Sequence, residues 1–252
     1  MIDECNPAFY NRTRQKRGRK EVHPMKWGIL GALDAEIDLI RSHMAITAET
    51  PMFGSVFYEG TVSGREVVLV CCGVGKVNAA VCAATAIGRF GADCIVNVGI
   101  AGAMAHGLHM LDVVISSEVG FHDQDAVMLD YYPKRAFFPA DAALSALCDR
   151  ACAAIPELNG RCRHGRIVSG DQFVNDAQLR RSINERFAPA CVEMEGAAVG
   201  HAAYMFGKPY LVIRTMSDAA DDDADETYDN FISEAAQTSA SIILKMLALS
   251  AE

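Results

Sequence analysis

Short apolar segments alternate with longer amphipathic segments along most of the chain. The short segments are rich in Val and Ile and end at Gly, Asp, Asn or Ser, a pattern that predicts strands. Between them, apolar residues recur at helical spacing, as at Val77, Val81, Ala84 and Ile87. Alternating strands and helices indicate an α/β fold in which helices cover a central sheet.

The same pattern gives the order of the elements along the chain. Strands are predicted at Trp27–Ala32, Ser55–Val62, Glu66–Cys72, Cys94–Val98, Val113–Ser116, Arg166–Ser169 and Tyr210–Arg214. Helices are predicted from about Asp34, after Gly75, and over Ala142–Ala154, Gly196–Phe206 and Tyr228–Leu249.

Length and charge bound the domain count and the class of partner. The chain has 252 residues, of which 51% are hydrophobic, enough for the core of one domain. Its net charge of −9 argues against binding of nucleic acid or of an anionic membrane, so we expect a small-molecule partner.

Residues 1–24 are basic and lack apolar periodicity, which predicts a disordered tail before a domain at 25–252. The tail is either native, with Arg12–Lys20 as a site for an anionic partner, or upstream sequence before a start at Met25.

Cysteine usage and hydropathy bear on the cellular compartment. The chain has nine cysteines, but its first 25 residues lack the apolar run of a signal peptide. The chain has no run of about 18 consecutive apolar residues, so the sequence predicts no membrane helix. We therefore expect a soluble, cytoplasmic protein with reduced thiols. Cys71 with Cys72, and Cys148 with Cys152, form no C-x-x-C motif and are expected to be small buried apolar residues.

Acidic residues follow two apolar runs in the C-terminal half of the chain. Glu193 and Glu195 lie in the stretch Val192–Ala198, and Asp218 ends the stretch Val212–Asp218. The carboxyl ends of strands form the ligand sites of open α/β sheets. A carboxylate buried there costs desolvation free energy unless a partner or a reaction uses it. These side chains are therefore the first candidates for chemistry.

Three glycine-containing turns are predicted to follow strands, namely Gly73–Lys76, Gly99–Gly102 and Ser169–Asp171. None spells the dinucleotide-binding fingerprint or the Walker motif. Taken singly, each turn is a tight connection of ordinary type. Together they predict a cleft in which the backbone approaches a ligand closely.

These stretches together resemble the 5'-methylthioadenosine/S-adenosylhomocysteine nucleosidases of the purine nucleoside phosphorylase and uridine phosphorylase superfamily. The resemblance runs from Met25 to the C-terminus through Gly28–Ile37, Gly73–Val77, Ile167–Phe173, Val192–Glu195 and Arg214–Asp221. It implies a single nucleoside phosphorylase-like α/β domain with a central mixed, twisted sheet flanked by helices. It also implies hydrolysis of the N-glycosidic bond of 5'-methylthioadenosine and S-adenosylhomocysteine. Adenine and a thioribose product would be released, with water as co-substrate and with no metal or organic cofactor.

The resemblance assigns four catalytic residues. Asp218 matches the general acid that protonates adenine N7, and Glu195 matches the carboxylate that binds the ribose hydroxyls. Glu36 matches the base that activates water on the opposite face of the sugar. Arg214 would help to position the water and would orient Glu36 through a charge-assisted hydrogen bond. Phe173 would stack on the purine, the backbone of Val174 would read its edge, and Met194 would lie beside the ribose. The full set of implied substrate contacts is Val74, Ala101, Gly102, Phe173, Val174, Glu193, Met194, Ser217 and Tyr228.

Each assignment has a purely structural alternative. Glu36 could be a first-turn partner of a helix dipole, and Asp218 could cap a helix. Phe173 and Met194 could be core residues. A further cluster could ligate a metal, but it lacks a second group of ligands, so a polar loop or subunit contact is favoured. This cluster consists of His122, Asp123 and Asp125.

Three other functions stay open. Phosphorylases of this superfamily carry an Arg before the glycine stretch and a hydroxyl within it, and Val96–Gly102 offers neither. Ile100 stands where nucleosidases usually have a small hydroxyl residue. An aminodeoxyfutalosine nucleosidase would use the same residues on a larger 5' substituent. A non-catalytic nucleoside-binding protein would need neither an acid nor a base.

The resemblance finally implies a homodimer whose subunits share the wall of the 5' pocket. Apolar and aromatic side chains would supply interface area without burying charge. The expected interface residues are Phe121, Tyr131, Tyr132, Phe137 and Phe138.

Overall fold

The apolar runs of the chain form one mixed sheet with helices on both faces. The structure, a computed structural model, describes residues 25–218, 220 and 224–251, and for residues 224–230 it describes the backbone alone. The predicted basic tail, residues 1–24, and the side chain of Tyr228 lie outside the described residues. The described part forms a single α/β domain.

The described strands and helices have the following bounds. The strands are β1 (Trp27–Gly31), β2 (Ala45–Met52), β3 (Ser55–Val62), β4 (Arg65–Cys71), β5 (Cys94–Ala103), β6 (Val113–Phe121), β7 (Phe137–Pro139), β8 (Cys162–Ser169), β9 (Cys191–Glu193) and β10 (Tyr210–Asp218). The α-helices are α1 (Asp34–Ser42), α2 (Lys76–Gly88), α3 (Ala142–Ala153), α4 (Ala177–Phe187), α5 (Gly196–Phe206) and α6 (Ala224–Leu249). Short 3₁₀ helices occur at Ala126–Asp130 and Pro156–Leu158.

The sheet brings several strand ends to one edge. Its strand order is β10-β6-β8-β9-β5-β1-β4-β3-β2, with β7 paired to β6 and β10 also paired to β5. Strands β5, β10, β6, β8 and β9 therefore close a ring of pairings, and β1 to β4 extend it. Strand β1 runs parallel to β4 and β5, and β5 runs parallel to β10. The carboxyl ends of these four strands meet at the edge where open sheets bind ligands.

Alternate residues of the central strands pack on opposite faces of the sheet. In β1, Leu30 faces the cluster built by α2 and α5, while Ile29 faces the cluster built by α1, α3 and α6. Val68 and Leu69 of β4 divide in the same way. Burial on both faces explains the continuous apolar runs. Each fully buried Val, Leu or Ile contributes about 1.5–3 kcal/mol to the free energy of unfolding.

All seven predicted strands are present, but β5, β6 and β10 extend past their predicted ends and β8 begins at Cys162 rather than Arg166. Strand β5 continues to Ala103 and β10 to Asp218, so the glycine stretch Gly99–Gly102 is strand rather than the predicted turn. The two strands pair in register from Tyr210 with Ile95 to Met216 with Ala101, and after a register shift Asp218 pairs with Gly102. This pairing satisfies the backbone groups that a turn would have left free.

Other parts of the sequence prediction need correction. Strand β2 is mostly exposed and lacks an apolar run, and β7 and β9 have three residues each, so none was predicted. Helix α4, with one buried side chain, Ile183, was missed as well. The last helix begins at Ala224 rather than Tyr228.

Two residue groups bear on other expectations. The eight cysteines of the described residues are free, six of them buried and Cys71 and Cys162 half-buried. Phe138, predicted at a subunit interface, is instead a core residue that stacks on the ring of His201 at 4.7 Å between ring centres.

Among the helices that the structure describes, none combines the length and apolarity needed to cross a membrane.

Candidate active site

A cavity of about 100 Å³ opens where the predicted site residues meet. Its lining consists of Ala32, Leu33, Glu36, Val74, Ile100, Ala101, Gly102, Phe173, Val192, Glu193, Met194, Glu195, Ser217 and Asp218. Val174, which is buried, lines an adjoining cavity together with Gly102 and Asp218. The sequence therefore predicted most of this lining. Arg214 lies buried below it, and the predicted contact of Tyr228 lies outside the described residues.

Glu36 is held by backbone donors from two elements. It lies in the first turn of α1 and is 3% exposed. Its Oε2 accepts the N–H groups of Ala32 at 2.6 Å and Leu33 at 3.0 Å, and its Oε1 accepts that of Ile100 at 3.1 Å. Burial raises the pKa of Glu36, although Arg214 and the three N–H donors oppose the shift. The result is a fixed carboxylate that is more basic than an exposed Glu.

Asp218 ends β10 and is 2% exposed. Its Oδ1 accepts the N–H of Ala220 at 2.8 Å, and its Oδ2 accepts the hydroxyl of Ser217 at 2.9 Å. A Cβ atom on Gly102 would lie 2.7 Å from Oδ1, so the glycine is what allows the carboxyl group to approach β5. Glu36 packs on Gly99 of the same strand. The two glycines that these carboxyl groups contact lie three residues, or roughly 10 Å, apart along the strand.

Arg214 pairs with Glu193, which corrects the expectation that it would bond Glu36. Its Nε donates to Glu193 Oε2 at 3.1 Å, and its Nη2 donates to the same oxygen and to Asn97 Oδ1. The other oxygen of Glu193 accepts the hydroxyl of Ser169. Burial alone would lower the pKa of Arg214, but Glu193, Glu195 and Glu36 raise it above its ordinary value. The guanidinium stays charged and affects Glu36 through space.

Glu195 sits between the glycine turn after β4 and the start of α5. Its Oε1 accepts the N–H of Gly75 at 2.8 Å, and its Oε2 lies 3.7 Å from Arg214 Nη2. Burial and the neighbouring Glu193 raise the pKa of Glu195 to about 7. A half-ionised carboxylate at neutral pH can accept or donate hydrogen bonds to hydroxyl groups.

One lysine connects three loops around the cavity. Lys76 Nζ lies 2.5 Å from Asp123 and 3.4 Å from Asp171, and the N–H of Asp171 donates to Asp123 at 2.9 Å. These residues follow β4, β6 and β8. Asp123 is therefore part of a salt-bridged polar loop, the alternative favoured over a metal site. Within the described residues, no group of three or more His, Cys, Asp or Glu side chains could hold a metal ion.

The apolar residues of the site differ in exposure. Phe173 is 40% exposed at the cavity mouth, whereas Val174 is 4% exposed behind it. Ile100 is half-buried with its side chain in the lining, and its backbone N–H, not its side chain, binds Glu36. The site thus holds Glu36 without the side-chain hydroxyl that the resemblance implied at position 100.

Sequence reasoning missed two buried polar residues of the site. Asn97 accepts from Arg214 and donates to the carbonyl of Leu30, and Ser169 donates to Glu193. Asn97 carried a signal, because a lone amide inside the apolar run Cys94–Val98 must find buried partners. Ser169 carried no such signal, because serine is common at strand ends.

Comparisons with known proteins bear on the family to which the chain belongs. A sequence model of the Phosphorylase superfamily matches residues 26–248. The 5'-methylthioadenosine/S-adenosylhomocysteine nucleosidase of Aeromonas salmonicida is 39% identical over 232 residues, 88% of this chain and 99% of that protein. The solved structure of the enzyme of that name from Neisseria meningitidis, in complex with methylthio-immucillin-A, is 35% identical with a TM-score of 0.84 and covers 89% of this chain and 99% of its own.

A futalosine hydrolase of Helicobacter pylori is also similar, at 31% identity and a TM-score of 0.81 over 88% of this chain and 97% of that one. Family model, relatives and fold agree over nearly the whole described domain. The chain belongs to the phosphorylase superfamily and, within it, to the family of 5'-methylthioadenosine/S-adenosylhomocysteine nucleosidases.

Proposed function

We infer that this protein hydrolyses the N-glycosidic bond of 5'-methylthioadenosine and S-adenosylhomocysteine, releasing adenine and a thioribose product. The names and the fold of its relatives support this function. The observation that carries it is the pair of carboxyl groups, Glu36 and Asp218, in one cavity. Each is held by fixed donors, and their separation along β5 leaves room for a sugar between them.

Asp218 is the general acid in this proposal. Adenine leaves poorly as an anion, so a proton given to its N7 lowers the barrier to departure. Such catalysis contributes typically ~10²- to 10⁴-fold to the rate. The hydroxyl of Ser217 and the N–H of Ala220 each bind one oxygen of Asp218 and so fix the plane of its carboxyl group.

Glu36 is the general base that removes a proton from the attacking water. Its three backbone donors fix its direction, and burial makes it more basic, which suits it to proton abstraction near neutral pH. Glu195 binds the ribose hydroxyls from the glycine-turn side, with Met194 beside the ring. Its charge also stabilises the oxocarbenium-like sugar that forms when adenine departs.

Phe173 and Val174 form the adenine side of the proposed site. The exposed ring of Phe173 offers a face on which a purine can stack. The backbone of Val174 offers a donor and an acceptor to the purine edge. Val74, Ala101, Gly102 and Ser217 complete the wall around the nucleoside.

Water, rather than phosphate, is the nucleophile that the charges favour. Among the residues that the structure describes, the cavity lining contains four acidic side chains, Glu36, Glu193, Glu195 and Asp218, and no lysine or arginine. A phosphate dianion would meet repulsion there. Arg214, just below, is already bonded to Glu193 and Asn97.

The test is release of free adenine from 5'-methylthioadenosine in buffer without phosphate. We expect turnover by the parent protein and a loss of about 10²-fold or more in Asp218→Asn, which lacks the transferable proton. Asp93→Asn is the matched control, since Asp93 pairs with Lys208 at the opposite edge of the sheet. Obligatory phosphate, or full activity of Asp218→Asn, would refute the assignment.

A second substrate class has its own support. The similar futalosine hydrolase shares the fold, and in this chain the apolar side chain of Ile100 lines the cavity. A nucleoside with a larger 5' group than methylthio is therefore the alternative. Comparing kcat/KM for methylthioadenosine and for aminodeoxyfutalosine distinguishes the two.

We also propose that the protein works as a homodimer in the cytoplasm. An apolar groove of about 520 Å³ lies between α2 and α5, where Val77 is 72% exposed and Met205 is 49% exposed. Tyr131 and Tyr132, at the end of the 3₁₀ helix Ala126–Asp130, are also exposed. Exposed apolar surface of this extent is typical of subunit contacts. The free thiols of the described cysteines suit a reducing compartment.

A further inference from the structure

Arg214 has a second buried partner besides Glu193. Asn97, on β5, is completely buried. Its Oδ1 accepts a hydrogen bond from Arg214 Nη2 at 2.6 Å, and its Nδ2 donates to the carbonyl of Leu30 at 3.0 Å. Leu30 is the residue of β1 that pairs with Asn97 across the sheet. The amide thus connects the guanidinium to the strand that leads into the turn holding Glu36.

The hydrogen bonds of the Arg214 guanidinium show that its contact with Asn97 bears on the orientation of the group. Of its five N–H groups, Nε and one on Nη2 go to Glu193, the other on Nη2 goes to Asn97, and one on Nη1 goes to the carbonyl of Ile213. A Cβ atom on Gly99 would overlap Glu36 Oε1 and would lie 3.1 Å from Arg214 Nη1. Arg214 Nη1 and Glu36 Oε1 therefore both lie beside Gly99.

We propose that Asn97 is a positioning residue that fixes the rotation of Arg214, so that Nη1 faces Glu36 and the water between them. Glu193 binds Nε and Nη2 through a single oxygen, Oε2. Without Asn97, the guanidinium could therefore pivot about that oxygen. The amide of Asn97 gives Nη2 a second fixed acceptor. This role rests on the proposed hydrolysis, in which Glu36 activates water.

The test uses Asn97→Leu, which is close in size but has neither donor nor acceptor. Hydrogen bonds to charged groups are strong enough for their loss to cost about tenfold to hundredfold, which we expect in kcat. The equilibrium affinity for adenine should change less than threefold, because Arg214 acts on the water side and not on the purine side. Rates are taken per adenine-binding site, which corrects for misfolded protein. Asn97→Ser, smaller and polar, gives the same comparison if the leucine is not tolerated.

The pH profile separates positioning from a general structural role. The groups that face Glu36 are Arg214, Glu195, Cys71 and Cys72. Of these, Arg214 carries the positive charge that lowers the pKa of Glu36. If Arg214 turns away, that pKa rises, so the acidic limb of kcat should move to higher pH. Ser116→Ala is the control: it removes another completely buried acceptor, that of the Val212 N–H, without touching Arg214.

Crystal structures of parent and Asn97→Leu give a readout that is independent of activity. We expect Arg214 Nη1 to turn away from Glu36 in the variant. An unchanged guanidinium, or an unshifted acidic limb with kcat per site within threefold of the parent, would overturn the proposal. A parent that releases no adenine would instead refute the proposed function, and the rotation of Arg214 would still decide the role of Asn97.

Discussion

Burial of carboxylates is the main electrostatic feature of the site at the scale of single residues. Glu36, Glu193, Glu195 and Asp218 are each less than a tenth exposed, and Arg214 is the one cation bonded to any of them among the contacts described above. Desolvation of this kind is costly, and functional sites commonly accept such a cost in stability. Burial, the largest cause, and the neighbouring Glu193 raise the pKa of Glu195 to about 7, which is one consequence of that desolvation.

Replacement of Glu195 should therefore stabilise the protein in a pH-dependent way. A carboxyl group whose pKa is raised by folding, here from 4.5 to about 7, binds its proton more tightly in the folded state. Its contribution to the free energy of unfolding is present below about pH 4.5 and is lost as the pH rises through about 7. We predict that Glu195→Gln gains about 2 kcal/mol over the parent between pH 5 and pH 8.

Urea unfolding at pH 5 and pH 8 measures this difference. Glu185→Gln, at an exposed position of α4, is the control and should show a difference that does not vary with pH. If the difference for Glu195→Gln is equally constant, Glu195 is ionised in the folded protein throughout this range and its raised pKa is wrong.

Ile100 should influence the rate only modestly. The N–H of Ile100 binds Glu36, and any residue at this position retains that donor. Ile100→Ser adds one hydroxyl near the water, and a neutral hydrogen bond is worth roughly 0.5–1.5 kcal/mol, or about tenfold at most. We predict a small change in methylthioadenosine hydrolysis, most simply an increase. Steady-state kinetics that show abolished turnover would place Ile100 in a different specificity pocket.

Residue types were predictable from the sequence, but their pairings were not. Glu193, Glu195, Arg214 and Asp218 could be selected because charged groups next to apolar runs need partners. Glu36 was selected only through the resemblance to the nucleosidases. The choice of Glu193 rather than Glu36 as the partner of Arg214 depends on the register between strands. Single-sequence patterns do not specify that register.

At the scale of elements, the site depends on the close approach of side chains to strand β5. Gly99 and Gly102 let the carboxyl groups of Glu36 and Asp218 pack directly on its backbone. The sequence analysis placed the glycines in a turn, since glycine inside a strand is uncommon. The pairing of β10 with β5 over this stretch explains why a strand continues there.

Addition of one methyl group at Gly99 should displace the base. A Cβ atom there would overlap Glu36 Oε1, so Gly99→Ala must move the carboxylate away from the N–H of Ile100. We predict a loss of kcat of about 10²-fold or more, with the fold retained. Gly88→Ala is the matched control, because its Cβ atom would lie 3.6 Å from Phe206, an ordinary contact. Equal activity of both variants would show that catalysis does not depend on the exact position of the Glu36 carboxylate.

At the scale of the whole molecule, the exposed apolar groove between α2 and α5 is explained by a second subunit. Val77→Glu would place a charge at the centre of that contact and should give a monomer in light scattering at micromolar concentration. Phe53→Asp, at an exposed residue in the β2–β3 turn, is the control and should leave the mass unchanged. If Val77→Glu keeps the mass of the parent dimer, the contact lies elsewhere. A monomeric parent with full activity would refute the dimer.

Fold class could be predicted from the alternation of strands and helices, because burial on both faces of a central sheet leaves a strong apolar signal. The ring of pairings through β9 and β10 could not be predicted from the sequence, because β9 is three residues long and pairs with strands distant in sequence. Contacts within the site that the apolar pattern cannot encode, such as the backbone donors to Glu36, came only with the three-dimensional structure.

The central claim is that water, activated by Glu36, replaces adenine at the sugar. The most direct measurement is turnover of 5'-methylthioadenosine in ¹⁸O-labelled water with phosphate present, followed by mass spectrometry of the sugar product. The account predicts free adenine and methylthioribose with one ¹⁸O at the anomeric position, allowing for exchange measured on unlabelled product. A sugar 1-phosphate without the label would contradict it.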